Sequence, residues 1–218
     1  MVQDIDIELV NNQQQRLPCV LVLDASYSMQ GARIEQLNAG LKVFEEQVKA
    51  DETACERVQI MVIRCGGDVS VAQDWTDAES FDAPKLEADG GTPLGIAVEL
   101  AASKIEERKA DYRNAGVNYL KPWVFIISDG EPNDDNWEAK ADLFKKAEID
   151  GKFTTFAVGV EDADLGCLNR FSQRDSMMLR GIEFTQLFIW LSKSVRVASK
   201  RSTDDEQTQL PPVDWSTV

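Results

Sequence analysis

The chain has 218 residues, 43% of them hydrophobic and 28% charged, which is the composition of a folded protein long enough to bury one substantial core. Its 38 acidic against 23 basic side chains leave a formal charge of −15, which opposes binding to nucleic acid or anionic membranes and suits cations and basic partner patches. Histidine is absent, which removes the commonest general base and the usual catalytic-zinc ligand.

The first residues, Met1 to Gln15, carry no basic stretch followed by an apolar one, and no run approaches the ~20 apolar residues of a membrane span, so a cytoplasmic protein is expected. Asp4-Ile5-Asp6-Ile7-Glu8-Leu9 alternates at period two and reads as an extra edge strand or a mobile arm over residues 1–16. Cys19-Val20-Leu21-Val22-Leu23 is continuously apolar, as a central strand covered on both faces should be, Val58 to Ile63 and Val124 to Ile127 behave alike, and a further strand-like run, Phe153 to Val160, completes the set. After the second of these, Gly66 to Asp68 turns back into Val69-Ser70-Val71, which predicts an antiparallel strand at a sheet edge.

Helical spacing fills the gaps between these runs. Ile34, Leu37, Leu41, Phe44 and Val48 form one apolar stripe. Leu94, Ala97, Val98, Ala101 and Ile105 form another, with Pro93 suited to a first helical position. A helix is predicted from Trp137 to about Ile149 with Leu143 and Phe144 inward, and a closing helix carries Phe184, Leu187, Phe188, Leu191 and Val195. This alternation predicts an α/β fold over residues 17–198, with a mostly parallel sheet, one antiparallel edge strand and helices on both faces. Residues 199–218 read as a polar tail, disordered or strapped over the domain. Cys19, Cys55, Cys65 and Cys167 follow no metal-binding spacing and are expected as free thiols.

Chemistry concentrates where strands end. Leu23-Asp24-Ala25-Ser26-Tyr27-Ser28 leaves the first strand as D-x-S-x-S, at the carboxyl edge where open α/β sheets gather ligands. Thr92 follows Asp89-Gly90-Gly91 and precedes a helix, while Asp129 stands in Ser128-Asp129-Gly130-Glu131-Pro132 at the tip of a later strand. Asp24, Ser26 and Ser28 offer hard oxygen donors with one formal charge, which fits Mg²⁺ held partly through water better than a dehydrated Ca²⁺ cage, and the three loops could deliver Asp24, Ser26, Ser28, Thr92 and Asp129 to one point. Ser28 could instead cap the following helix, and Asp134 and Asp135 are read as solvated loop carboxylates.

With these motifs in this order, the chain resembles the von Willebrand factor A superfamily, whose metal-ion-dependent adhesion site combines D-x-S-x-S with a Thr and an Asp from later loops. The resemblance spans about residues 17–198 and implies a Rossmann-like fold. Gln36-Leu37-Asn38-Ala39-Gly40-Leu41, Gly90-Gly91-Thr92-Pro93-Leu94-Gly95 and Ser128-Asp129-Gly130-Glu131-Pro132 are most similar to the bacterial TerY-like group associated with tellurium resistance and stress. It further implies a Mg²⁺ ion, with Mn²⁺ or Ca²⁺ as substitutes, on Ser26, Ser28 and Thr92, with Asp24 and Asp129 direct or through water. An open position is then left for a Glu or Asp of a protein partner, with a phosphatase or kinase implied by the narrower group. Tyr27 departs from the Gly common in relatives, which bears on partner geometry.

The competing reading is a metal-dependent phosphotransfer or hydrolytic enzyme using the same carboxylates. A haloacid-dehalogenase-type site requires a second Asp where Ser26 stands, and neither G-x-x-x-x-G-K-[ST] nor G-x-G-x-x-G occurs. A non-enzymatic binding module is the expectation.

Overall fold

The structure is a computed structural model that describes residues 14–129, 131–179, 181, 183–200, 210–213 and 216–217; the period-two segment Asp4 to Leu9 lies outside them. Strand β1 (Leu17–Asp24) is buried along its whole length, so it can only be a central strand. It pairs in parallel with β2 (Val58–Gly66) on one side and with β4 (Trp123–Ser128) on the other. Beyond β2 lies antiparallel β3 (Asp68–Asp77), reached through the tight turn at Gly67. Beyond β4 come parallel β5 (Thr154–Val160) and β6 (Met177–Leu179), giving the order β3-β2-β1-β4-β5-β6-β7. The last of these, β7 (Ser216–Thr217), pairs antiparallel with β6, so the second edge is antiparallel as well as the expected one.

Alternation along the strands sorts the core into two layers. Cys19, Leu21 and Leu23 face the layer formed by α1 (Ala32–Lys49) and α6 (Phe184–Ser199), where Leu37, Leu41 and Phe44 meet Leu187, Phe188 and Leu191. Val20 and Val22 face α3 (Leu94–Ala115) and α4 (Trp137–Ile149), with Val98, Ala101, Ile105 and Phe144. Gly40 lets α1 and α6 approach: a Cβ there would lie 2.6 Å from Phe188 Cδ2. Two short helices complete the set, α2 (Glu52–Arg57) and α5 (Leu165–Leu168).

Three expectations are corrected at residue level. Leu143, expected inward, is 66% exposed, because Ala141, Phe144 and Glu148 form the buried stripe of α4. Pro93 caps α3 from outside, and the helix begins at Leu94. Ser28 lies in a one-turn 3₁₀ segment, Tyr27–Met29, and makes no cap, since α1 starts later behind Gly31.

The long connection from β3 to α3 carries Thr92 and is tied to α1 at two places. Asn38 exchanges two bonds with the Leu86 backbone, donating to its O at 2.9 Å and accepting from its N at 2.8 Å. Glu45 accepts from Ala83 N at 3.0 Å and pairs with Lys42 and Lys49 at 2.8 and 2.9 Å. Partial burial alone would push the Glu45 carboxyl up, but the bonds from Lys42, Ala83 N and Lys49 outweigh it and hold the pKa at about 2 instead of the ordinary 4.5. A folded pKa below the unfolded one contributes stability that is complete above pH 4.5 and disappears as pH falls toward 2. Glu45→Gln is therefore expected to cost about 1–3 kcal/mol at pH 7. In denaturant titrations run at successive pH values, the gap to the parent protein should close through that acid range.

Candidate metal centre

From β1 the chain builds outward through β2 and β3 on one side and then crosses to β4 on the other, so the crevice between the ends of β1 and β4 is the switch point where α/β sheets hold ligands. Register brings the two site strands level there. Leu23 pairs with Ile127, so Asp24 and Ser128 stand side by side, and Ser128 Oγ donates to Asp24 Oδ2. Asp24 Oδ1 accepts from Ser26 N at 2.9 Å, which curls the chain into its turn. The two serine hydroxyls meet at 2.8 Å, and Ser28 Oγ donates to Asp129 Oδ1 at 2.7 Å. Asp24, Ser26, Ser28 and Asp129 thus form one hydrogen-bonded chain across two strand ends.

Thr92 enters through its loop, which is bonded to the same turn. Tyr27 N donates to Gly90 O at 2.8 Å, Asp89 N to Ala25 O at 2.8 Å, and Gly67 N to Gly91 O at 2.9 Å. These backbones approach too closely for side chains: a Cβ on Gly66 would lie 2.1 Å from Ala25 O, and one on Gly90, at φ 61°, would lie 2.2 Å from Gly67 Cα. Thr92 is 4% exposed; its N–H donates to Asn133 Oδ1 at 3.0 Å, and its carbonyl accepts from Asn133 N at 3.1 Å.

Asp24 is fully buried, and that burial, opposed by the Ser128 and Ser26 bonds and reinforced by the Asp129 charge, pushes its carboxyl up to about 6. A buried anion in that position gains from a nearby cation. One is present within the chain: Arg33, in the first turn of α1, donates from Nη1 to Asp129 Oδ2 and to Ser28 O, each at 2.8 Å, and from Nη2 to Glu161. The guanidinium shows that a positive group is accommodated at Asp129. Among the described residues no three His, Cys, Asp or Glu side chains are grouped to hold a metal, so a cation here would depend on hydroxyl oxygens beside the two carboxylates. Ser and Thr oxygens with Asp fit a hard divalent ion, and the residues present fit such an ion.

The von Willebrand factor type A domain model matches residues 19–187, most of the chain and all of the site. This chain belongs to the von Willebrand factor type A (VWA) domain family. No curated protein matches it. Solved structures share the fold at low identity. The VWA domain of the type V pilus tip protein Mfa5 from Porphyromonas gingivalis is 12% identical with a TM-score of 0.66, covering 87% of this chain and 98% of that one. The pilus adhesin SpaC from Lactobacillus rhamnosus GG is 13% identical with a TM-score of 0.69, covering 86% and 31%. Proximal thread matrix protein 1 from mussel byssus, in a structure with a zinc-occupied MIDAS motif, is 15% identical with a TM-score of 0.59, covering 84% and 48%. The chain therefore spans half or less of several of these longer proteins. VWA domains are in general non-enzymatic adhesion and interaction modules that mediate contacts between proteins, often through a divalent-metal site.

Four residues of this VWA site escaped the sequence reading. Ser128 was visible in its motif but only as a neighbour of Asp129; Arg33, Glu161 and Asn133 lie in stretches with no local signal. Asp134, expected to be solvated, has a side chain only 3% exposed. It accepts from Gly95 N and Ile96 N at 3.0 and 3.1 Å and pairs with Lys140 at 2.9 Å, so it satisfies the open amides at the start of α3. Asp134→Ala is expected to lower stability by about 1–3 kcal/mol, because two amides and a lysine lose their partner. Thermal unfolding with and without Mg²⁺ distinguishes this role from ligation: the melting temperature falls, and the increment produced by the ion stays.

Proposed function

We propose that this VWA domain holds one Mg²⁺ ion through Asp24, Ser26, Ser28, Thr92 and Asp129 and uses it to capture a Glu or Asp side chain of a protein partner. The observation that carries the reading is the continuous bonding of Asp24, Ser26, Ser28 and Asp129 at the switch point, with a guanidinium already resting on Asp129. Mn²⁺ or Ca²⁺ are substitutes, and the zinc-occupied site of the mussel protein supports a divalent ion in this type of motif. When bound, the ion supplies a positive centre that exchanges a water for a carboxylate.

The chain's own residues do the rest. Ser128 and Ser26 N hold Asp24 in one orientation, the Ser26–Ser28 pair sets the two hydroxyls side by side, and the Gly90–Tyr27 bond fixes the Thr92 loop against them. Tyr27, where relatives commonly have Gly, is 59% exposed beside the site and presents an aromatic face to whatever docks there. Nothing in this arrangement requires proton transfer, which accords with a chain without histidine.

The similarity of its motifs to the TerY-like group supports the reading that this work is done in the bacterial cytoplasm, within a tellurite-resistance or stress-response assembly whose partners include a phosphatase or kinase. No helix among the described residues is long and apolar enough to cross a membrane.

Mg²⁺ at about 100 times its Kd should raise the unfolding free energy by about 2.7 kcal/mol, and Asp24→Ala or Thr92→Ala should remove that increment. In pull-downs from the native host, both substitutions and EDTA should abolish partner capture while circular dichroism remains native. Capture that persists unchanged in EDTA would overturn the proposal, and Mg²⁺-dependent turnover of a phosphoester lost in Asp24→Asn would favour the enzymatic reading.

A further inference from the structure

Both carboxylate oxygens of Asp129 are occupied from within the chain. Oδ1 accepts from Ser28 Oγ at 2.7 Å, and Oδ2 accepts from Arg33 Nη1 at 2.8 Å. The same Nη1 also donates to Ser28 O at 2.8 Å, while Nη2 engages Glu161 Oε2. The Arg33 side chain is 29% exposed and thus partly withdrawn from solvent. Glu161 is one of two residues other than glycine with positive φ among those described, at 52°, immediately past the end of β5. A β-region backbone is the cheaper choice for Glu, and a left-handed one persists only where surrounding contacts determine it. Three successive strand ends thus deliver carboxylates to one edge, Asp24 from β1, Asp129 from β4 and Glu161 from β5, and Arg33 joins the last two.

We infer that Arg33 is a built-in counter-cation of the metal centre: it positions Asp129 before an ion arrives and opposes the ion electrostatically once it is there, so that Arg33 and Glu161 together set metal affinity. The inference rests on the Mg²⁺ reading above and extends it to two residues that ligate nothing. The direction follows from charge. A guanidinium on Asp129 repels a divalent ion coordinated by the same carboxylate, and in a partly dehydrated crevice that repulsion is poorly screened. Glu161 acts in the opposite sense. By sharing Arg33 it draws part of that positive charge away from Asp129 and adds a negative charge to the neighbourhood.

The two residues therefore have effects of opposite sign, which a merely structural clamp does not produce, because loss of either half of a clamp loosens the site in the same way. Calorimetric titration of Mg²⁺ into the full chain, with thermal unfolding alongside, measures this directly. Arg33→Gln is expected to bind Mg²⁺ roughly tenfold more tightly while the metal-free protein melts lower, since Asp129 and Glu161 lose their partner. Glu161→Gln is expected to weaken Mg²⁺ several-fold. Arg33→Lys keeps the charge without the planar fork and should stay closer to the parent in affinity than Arg33→Gln does.

If the parent protein binds no Mg²⁺ by heat or by melting shift, the metal reading itself fails and this inference with it. If the parent binds but Arg33→Gln binds equally or more weakly, or if both substitutions weaken binding, Arg33 is a clamp only and the inference is overturned. Should Arg33→Gln fail to fold, Glu161→Gln decides alone: weakened Mg²⁺ binding supports the inference, and unchanged or tightened binding refutes it.

Discussion

A carboxylate is held at the end of a strand that has no exposed residue along it, and the rest of the edge is arranged around that cost. Asp24 terminates β1, flanked by β2 and β4, and is itself fully buried. Desolvating an anion costs several kcal/mol unless bonds and opposite charge compensate. Ser26 N and Ser128 Oγ supply the bonds, but among the described residues no cationic side chain pairs with Asp24, and Asp129 adds a second negative charge nearby. The site is therefore short of positive charge, and its hydroxyls leave lone pairs free to complete a shell of hard oxygens. A divalent ion answers both needs at once.

The edge keeps its shape because its loops are bonded to elements far from it. Asn38 and Glu45, on the middle of α1, hold the connection that ends at Thr92, and Asp134 holds the start of the helix that follows. Gly66 and Gly90 permit the backbone of three loops to touch, with Ala25, Gly67 and Tyr27 as the points of contact. Cations bound through hydroxyls gain less per ligand than through carboxylates, so rigid placement matters more here than at an acidic cage. Tyr27 is the exception, an exposed aromatic on a turn whose backbone is fixed on both sides, which leaves its side chain available to a partner without loosening the ligands.

What could be read from the chain alone follows the range of the interactions concerned. Continuous apolar runs identified β1, β2, β4 and β5, because a strand covered on both faces can have no polar alternation. The motif residues of the site were equally legible, since D-x-S-x-S, the Gly-Gly-Thr-Pro loop and Ser-Asp-Gly each lie within a few residues. β6 and β7, three and two residues long, are too short for any period to register. Leu143 misled because it lies beside the true stripe of α4, one residue from buried Phe144. Asp134 and Arg33 were invisible for a different reason: their partners are 39 and 128 residues away in Gly95 and Glu161, and such pairings exist only after the sheet has assembled.

The charge on this edge has a consequence for how metal and partner depend on one another. If Arg33 opposes the divalent ion, the same guanidinium favours an incoming carboxylate, because it adds positive charge beside the position that the partner must reach. The partner's anion then relieves the repulsion between ion and guanidinium, so each of the two ligands binds more tightly when the other is present. Such coupling is reciprocal by thermodynamic necessity: whatever factor the ion adds to partner affinity, the partner adds to ion affinity. A centre tuned in this way does not act as a permanent metal store with a docking surface beside it. It would fill fully only in the complex, and Glu161 reaches Arg33 from the turn that leaves β5, closed by the bond from Ala163 N to Val160 O at 3.2 Å.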